Sequence, residues 1–275
     1  HQLHRRQRQM CIRDRFLAAN GPSVQAIATS GHDGVPDNLL DNLSNLKIIS
    51  NYGVGYDAIN VDKAVSKNIL VTHTPDVLNE EVATTALMLL MAVSRELIVN
   101  DRYIRKGNWS KKGNTPLSRA VDGMSVGILG YGRIGQAIAR KLEAFNCQIS
   151  YHARSERKDS PHRYYDNLIR LADDVTALIV ITPGGQHTHH LVNADVIAAL
   201  GSEGILVNVA RGSVVDEDAL IAALQDGSLG AAGLDVFAAE PHVPEVLFTM
   251  DNVVLTPHIG CLLYTSDAAD DGVGV

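Results

Sequence analysis

Two sets of residues in this chain have the types and spacing to do chemistry. The first is GYGRIG, residues 130–135, which fits G-x-G-x-x-G between an apolar run and a helix-like stretch. Gly130 permits a tight turn, Gly132 lets the backbone approach a pyrophosphate, and Gly135 lets the helix pack closely on the strand. Arg133 and Ile134 open that helix, whose free N–H groups and partial positive charge suit phosphates. A further strand ends ~20 residues on, the spacing a dinucleotide site requires. Its end reads YHARSER, with His152 where an acid would grip the ribose hydroxyls of NAD. No carboxylate is read as available there, while Arg154, Ser155 and Arg157 could hold a 2′-phosphate by charge-assisted bonds. The pattern favours NADP(H), with NAD(H) as the other option; the bland reading is a solvated basic loop.

The second set follows three later apolar runs: Arg211 in NVARGS, Glu240 in FAAEP and His258 in TPHIG. A hydride acceptor such as a 2-oxo acid needs a cation to bind its carboxylate and polarise its carbonyl, and an Arg fork does this. It needs an acid to protonate the developing alkoxide, a role suited to His. A carboxylate beside that His orients it and favours its charged form, which Glu240 can do. Each residue alone is more often structural: Arg after a strand is commonly a surface ion pair, and a lone His before Ile-Gly a satisfied turn residue. Downstream of a dinucleotide loop they make a set. His187, His189 and His190 cluster in QHTHH, but zinc needs three or four converging ligands and no Cys or acid stands at useful spacing. A solvated loop is the expectation, and no metal site.

These residues need strands to carry them. SVQAIATSG, LKIISNYGVGYD and ILVTHTP read as strands of a small α/β unit. Asn79 reads as the N-cap of an apolar helix reaching Val93, with Glu80 and Glu81 in its first turn. GNWSKKGNTP, from Gly107, reads as a loop. SVGILG is then a strand, Arg133 to Phe145 a helix, CQISYHA a strand and YYDNLIRLADD a helix. TALIVIT is a strand, NADVIAALG a helix capped by Asn193, and GILVNVA a strand. DEDALIAALQDG is a helix ended by Gly227, followed by strands GAAGLDVF and NVVLTP. Apolar runs separated by amphipathic helices imply a parallel sheet covered on both faces.

Composition agrees with an enzyme-sized globular chain of 275 residues, 45% hydrophobic and 20% charged. The net charge of −7 argues against a nucleic-acid partner. The longest apolar run, Val82 to Val93, falls short of the ~20 residues of a spanning helix, so no membrane segment is expected. Cys11, Cys147 and Cys261 lack CxxC spacing and suit a reducing compartment, which gives a cytoplasmic expectation. The basic start, HQLHRRQRQMCIRDR, lacks the apolar core of a secretory signal.

NYGVGYD, TPDVLNEEVA, GILGYGRIGQAIA, NVARGSVVDEDAL, AAGLDVFAAEP and NVVLTPHIG, in that order, resemble the D-isomer-specific 2-hydroxyacid dehydrogenases. The likeness spans roughly residues 16–260 and is greatest to the glyoxylate/hydroxypyruvate reductase branch. It implies a Rossmann-type doubly wound parallel sheet (76–260) inserted into a smaller flavodoxin-like α/β substrate domain (16–75). It implies reduction of a small 2-oxo acid to the 2-hydroxy acid, with Arg211, Glu240 and His258 as the catalytic trio and His258 the proton donor. Val54 and Gly55 would offer N–H groups to the substrate carboxylate. Asp235 would hold the nicotinamide amide, and Thr182, Pro183, Val209, Ala210 and Gly260 would line the cofactor site. A homodimer through residues 79–119 is implied, with Trp109 reaching toward the partner's active site or anchoring the interface. NAD-linked phosphoglycerate or D-lactate dehydrogenases are the nearest rivals, and dinucleotide-sensing corepressors share the fold without turnover.

The hydrophobic period stops at both ends. Residues 1–15, including MCIRDR, and residues 261–275, beginning CLLYTSDAADD, read as non-native segments where an opening strand and a closing helix of the substrate domain are expected. That replacement would leave an exposed apolar patch on the substrate domain.

Overall fold

Strands that bury both faces decide this architecture. The computed structural model describes residues 16–31 and 33–260, so the readings of 1–15 and 261–275 lie outside it, with Cys11 and Cys261. The chain divides into two compact units between Val77 and Leu78.

In the first unit, β1 (Ala26–Ser30), β2 (Ile48–Tyr52) and β3 (Leu70–Thr72) form a parallel sheet in that order. Helices α1 (Asp37–Asn42) and α2 (Val61–Ser66) supply Leu40 and Ala64 to a small core with Val35, Leu43, Leu46, Ile49, Ile59 and Ile69. The Asn60 side chain caps α2 by accepting from the Lys63 amide at 3.0 Å.

The second unit carries α3 (Asn79–Ser94), α4 (Leu97–Arg105) and α5 (Asn108–Lys112) ahead of β4 (Ser125–Leu129). Then come α6 (Arg133–Glu143), β5 (Gln148–His152), β6 (Arg163–Tyr165), α7 (Leu168–Asp174), β7 (Ala177–Val180), α8 (Ala194–Leu200), β8 (Ile205–Asn208), α9 (Glu217–Asp226), β9 (Ala231–Leu234) and β10 (Val253–Leu255). The seven strands are parallel in the order β10-β9-β8-β7-β4-β5-β6. Chain order therefore runs outward one way from β4 to β6, then returns to the other side of β4 at β7. This reversal opens a crevice beyond the carboxyl ends of β4 and β7, the place where doubly wound sheets bind ligands.

Residue alternation along the central strands feeds two cores. Leu178 and Val180 of β7 pack on one face with α7, α8 and α9, while Ala177 and Ile179 pack on the other with α3 and α6. Burying each large side chain contributes roughly 1.5–3 kcal/mol. Asn193 caps α8 through the Val196 amide at 3.1 Å, and Gly227 ends α9 at φ +77°, both as the residue types predict.

Three expectations need correcting. In YYDNLIRLADD the first residues are strand: Tyr164 and Tyr165 pair with Tyr151 and His152, and α7 starts only after its cap, Asn167. The stretch after Gly107 contains the short helix α5, set between Gly107 and Gly113, both at positive φ. Asn79 is the first helical residue of α3, and Leu78 takes the N-cap position. Among the described residues no single helix is long and apolar enough to cross a membrane; α3 and α4 qualify only as a pair, and they are bent by 58°.

Candidate functional site

Every site residue proposed for the second unit sits at or beyond the carboxyl end of a strand or opens α6. Gly130 follows β4, Arg154 and Ser155 follow β5, and Thr182 and Pro183 follow β7. Val209, Ala210 and Arg211 follow β8, Asp235 and Glu240 follow β9, and His258 and Gly260 follow β10. Parallel strands make this inevitable: one edge of the sheet collects all their outgoing loops.

The glycine loop has the geometry its spacing predicts. Gly130 stands at φ +99°, and a Cβ there would lie 2.8 Å from the Ile181 carbonyl oxygen across the β4–β7 crevice. A Cβ on Gly135 would collide with the Gly130 carbonyl, whereas one on Gly132 would meet nothing within 4 Å. The first intrahelical bond of α6 is donated by Gln136 to Gly132 at 3.0 Å, so the Ile134 and Gly135 amides precede the ladder. Thr182 Oγ1 is buried with no hydrogen-bond partner. A buried hydroxyl without a partner at the crevice, open space above Gly132 and an unsatisfied helix start together fit a dinucleotide.

The loop after β5 requires a correction. Carboxylates are available in it, as Glu156 and Asp159, and Asp159 takes Arg157 at 3.4 Å. The Arg157 guanidinium holds the Asp159 carboxyl below its usual range. Arg154, exposed, has no hydrogen bond or ion pair among the described residues. Of the two guanidiniums proposed for a 2′-phosphate, Arg157 is paired with Asp159 and Arg154 is not. His152 is fixed at the strand end, its Nδ1 2.8 Å from the Tyr165 carbonyl oxygen.

His258 and Glu240 come together as proposed. Nδ1 of His258 lies 2.8 Å from Oε2 of Glu240, while Oε1 accepts from the Phe237 amide at 2.9 Å. A carboxylate only accepts, so Nδ1 carries the hydrogen and Nε2 is the ring atom left for other work. His258 sits at φ +53°, a region that few non-glycine residues enter. Asp235, 1% exposed, holds it there. Its Oδ1 accepts from Thr256 Oγ1 at 2.7 Å and the Ile259 amide at 2.8 Å, and its Oδ2 from the Gly260 amide at 2.9 Å. Its main-chain oxygen accepts from the His258 amide at 2.8 Å. The carboxylate proposed to hold a nicotinamide amide thus builds the turn that carries His258, with one acceptor site left on Oδ2.

Arg211 leaves β8 on a loop tied by Asn208. The Asn208 side chain accepts from the Ala210 amide and donates to the Arg211 carbonyl, both at 3.1 Å. Arg211 Nη1 donates to the Ala210 carbonyl at 2.7 Å. Gly212 lies against the Phe237–Ala238 backbone, where any Cβ would collide, so this loop packs directly on the one leading to Glu240.

In the first unit, Val54 and Gly55 lie in the loop beyond β2. Asn51 Nδ2 donates to the Gly53 and Gly55 carbonyls at 3.3 and 2.9 Å, and His73 Nδ1 lies 3.1 Å from the Val54 oxygen. With the carbonyls occupied, the Val54 and Gly55 amides have no acceptor among the described residues. Asn51 and Asn208 escaped notice in the sequence. The available signal was a single amide in an otherwise apolar strand, which must find partners when buried.

QHTHH forms a short turn closed by Thr188 Oγ1 on the Pro183 carbonyl at 2.8 Å, with His189 and His190 stacked at 3.9 Å. Among the described residues no group of three or more His, Cys, Asp or Glu converges as metal ligands would.

Comparison with known proteins agrees with this geometry. A family model described as "D-isomer specific 2-hydroxyacid dehydrogenase, NAD binding domain" matches residues 87–260, and the chain belongs to that family. It is 46% identical to the glyoxylate/hydroxypyruvate reductase A of Arabidopsis thaliana over 245 residues, 89% of this chain and 78% of the relative. It is 44% identical to the hydroxyphenylpyruvate reductase of Plectranthus scutellarioides, with the same two coverages. Among solved structures, an NADPH-dependent glyoxylate/hydroxypyruvate reductase from Sinorhizobium meliloti, in complex with NADP and malonate, matches with a TM-score of 0.87 and 47% identity. That match covers 91% of this chain and 78% of the other.

Proposed function

We propose that this chain reduces a small 2-oxo acid of the glyoxylate or hydroxypyruvate type to the D-2-hydroxy acid, using NADPH. The observation that carries the reading is the 2.8 Å contact between His258 Nδ1 and Glu240 on a turn anchored by Asp235. The glycine loop, the α6 N-terminus and Thr182 hold the dinucleotide, and Arg154 with Ser155 takes its 2′-phosphate. When bound, the reduced nicotinamide supplies the hydride that reaches the carbonyl carbon. Arg211 binds the substrate carboxylate and draws electron density toward the carbonyl oxygen. As the C=O π bond breaks, His258 Nε2 gives its proton to that oxygen, which stays on the carbon as the hydroxyl of the 2-hydroxy acid. Glu240 keeps the ring in place and balances its charge while it is an imidazolium.

We also propose that the chain works as a homodimer through residues 79–119. Leu97, Ile98, Ile104 and Trp109 are exposed there, and Leu117 is 99% exposed. Sedimentation of the wild type and of Leu117→Asp tests this; a monomeric wild type overturns it.

The activity is tested by following NADPH oxidation with a panel of 2-oxo acids. His258→Ala is expected to lose about 10²-fold or more in turnover while NADPH still binds. Equal loss of both makes His258 structural. A folded chain that binds dinucleotide and turns over no 2-oxo acid is a sensor.

A further inference from the structure

Three tyrosines converge under the loop that follows β5. Tyr151, fully buried, stacks on Tyr131 with ring centroids 4.0 Å apart and planes 20° apart, and Tyr164 leans on Tyr151 at 5.5 Å. Stacking at this distance fills the space between α6 and the sheet edge. Their hydroxyls all reach the same segment. Tyr164 Oη donates to the Ala153 carbonyl at 3.3 Å. Tyr151 Oη accepts from the Arg157 amide at 2.8 Å and lies 3.4 Å from the Arg157 carbonyl. Tyr131 Oη accepts from Ser160 Oγ at 3.3 Å, and that oxygen also accepts from the His162 amide at 3.1 Å. The segment is thereby fastened just before Arg154, two residues after Ser155, and again at Ser160. Arg154 and Ser155 occupy the short span between the first two fastenings. Tyr131 is also the second residue of GYGRIG, so one ring joins the pyrophosphate loop to the loop that selects the cofactor.

We infer that Tyr131 and Tyr151 are positioning residues for cofactor selection: their hydroxyls set the 153–160 backbone so that Arg154 and Ser155 present a preformed site to the 2′-phosphate of NADP(H). This rests on the reading of Arg154 as the phosphate-binding side chain. Neither tyrosine touches the phosphate. Each removes backbone freedom that binding would otherwise have to quench, and an ordered loop loses less on association. Burial pushes the Tyr131 hydroxyl above its ordinary range, so the tie stays neutral through the pH range of catalysis.

The test is equilibrium binding of NADPH and of NADH to the full chain by calorimetric titration, with thermal melts as a folding check. Tyr151→Phe and Tyr131→Phe keep the stacked rings and delete only the hydroxyls. Tyr151→Phe is expected to weaken NADPH about five- to tenfold and Tyr131→Phe about two- to threefold, from one lost hydrogen bond each. NADH affinity is expected to stay within about twofold, since NADH lacks the group the loop receives. Arg154→Ala reports on the underlying reading and is expected to lower the NADPH preference by more than either. If Arg154→Ala removes the preference while both Phe variants keep it, the tyrosines are structural and the inference fails while the reading stands. If a Phe variant weakens both cofactors equally, the inference likewise fails. If Arg154→Ala leaves the preference unchanged, the reading fails first and takes the inference with it.

Discussion

Two strand-end loops of the second unit are held in opposite ways. The turn after β10 is gripped by charge: Asp235 takes three donors on its carboxylate, and Glu240 takes the ring of His258. The loop after β5 is gripped by neutral phenols, with three of its four contacts at 3.3–3.4 Å. Charge-assisted hydrogen bonds are roughly twice as strong as neutral ones. The turn that carries His258, the proposed proton donor, gets the stiff support. The loop proposed to receive a phosphate gets a softer one, and its Arg154 has no hydrogen bond or ion pair among the described residues.

The contrast can be broken at its strong end first. Asp235→Asn turns one acceptor into a donor facing the Ile259 or Gly260 amide, which is expected to cost about 2–4 kcal/mol. For a domain of this size that lowers Tm by roughly 5–15 °C, and slackening of the His258 turn lowers turnover about 10²-fold. A melt and a kcat measurement on one preparation check both. Glu240→Gln keeps an acceptor for the Phe237 amide but loses the anion beside His258. It is expected to lower kcat about tenfold or more with Tm nearly unchanged; a matching fall in Tm would make Glu240 part of the scaffold.

The neutral end is subtler. The Tyr131 pKa is raised by burial, so its contribution to stability is complete below the unfolded value of about 10 and is lost as pH rises through the folded one. Wild-type Tm is expected to fall above about pH 10, with Tyr131→Phe losing less over the same interval. Smallest of all is Arg157→Ala. Its exposed pair with Asp159 is of the kind worth under about 1 kcal/mol, and NADPH affinity is expected to change less than about twofold. A larger loss would return Arg157 to the phosphate site.

Much of this was legible in residue types. GYGRIG announces a strand–turn–helix because glycine is needed at set positions for reasons of backbone geometry alone. Alternation in TALIVIT is invisible, since both faces are apolar, yet that invisibility itself signals a parallel sheet. What escaped depends on partners distant in the chain. Tyr164 and Tyr165 look helical beside LIRLADD, but β5 offers them a ladder that no local pattern encodes. NWSKK is too short for any period to show. No local pattern around Asp235 shows that it also builds the 256–260 turn, over twenty residues later, through three donors on its carboxylate. The pairing of Arg157 with Asp159 is likewise signalled by no local pattern.

The chain has one tryptophan, Trp109, standing 59% exposed on α5 with its indole N–H on Asn114 Oδ1 at 3.0 Å. Its emission therefore reports on a single surface, remote in sequence from both loops compared above. If a second copy packs there, dilution will shift that emission to the red as the indole meets water. The Phe variants at 131 and 151 will leave it untouched. The protein carries its own optical gauge of association, separable from every measurement of its chemistry.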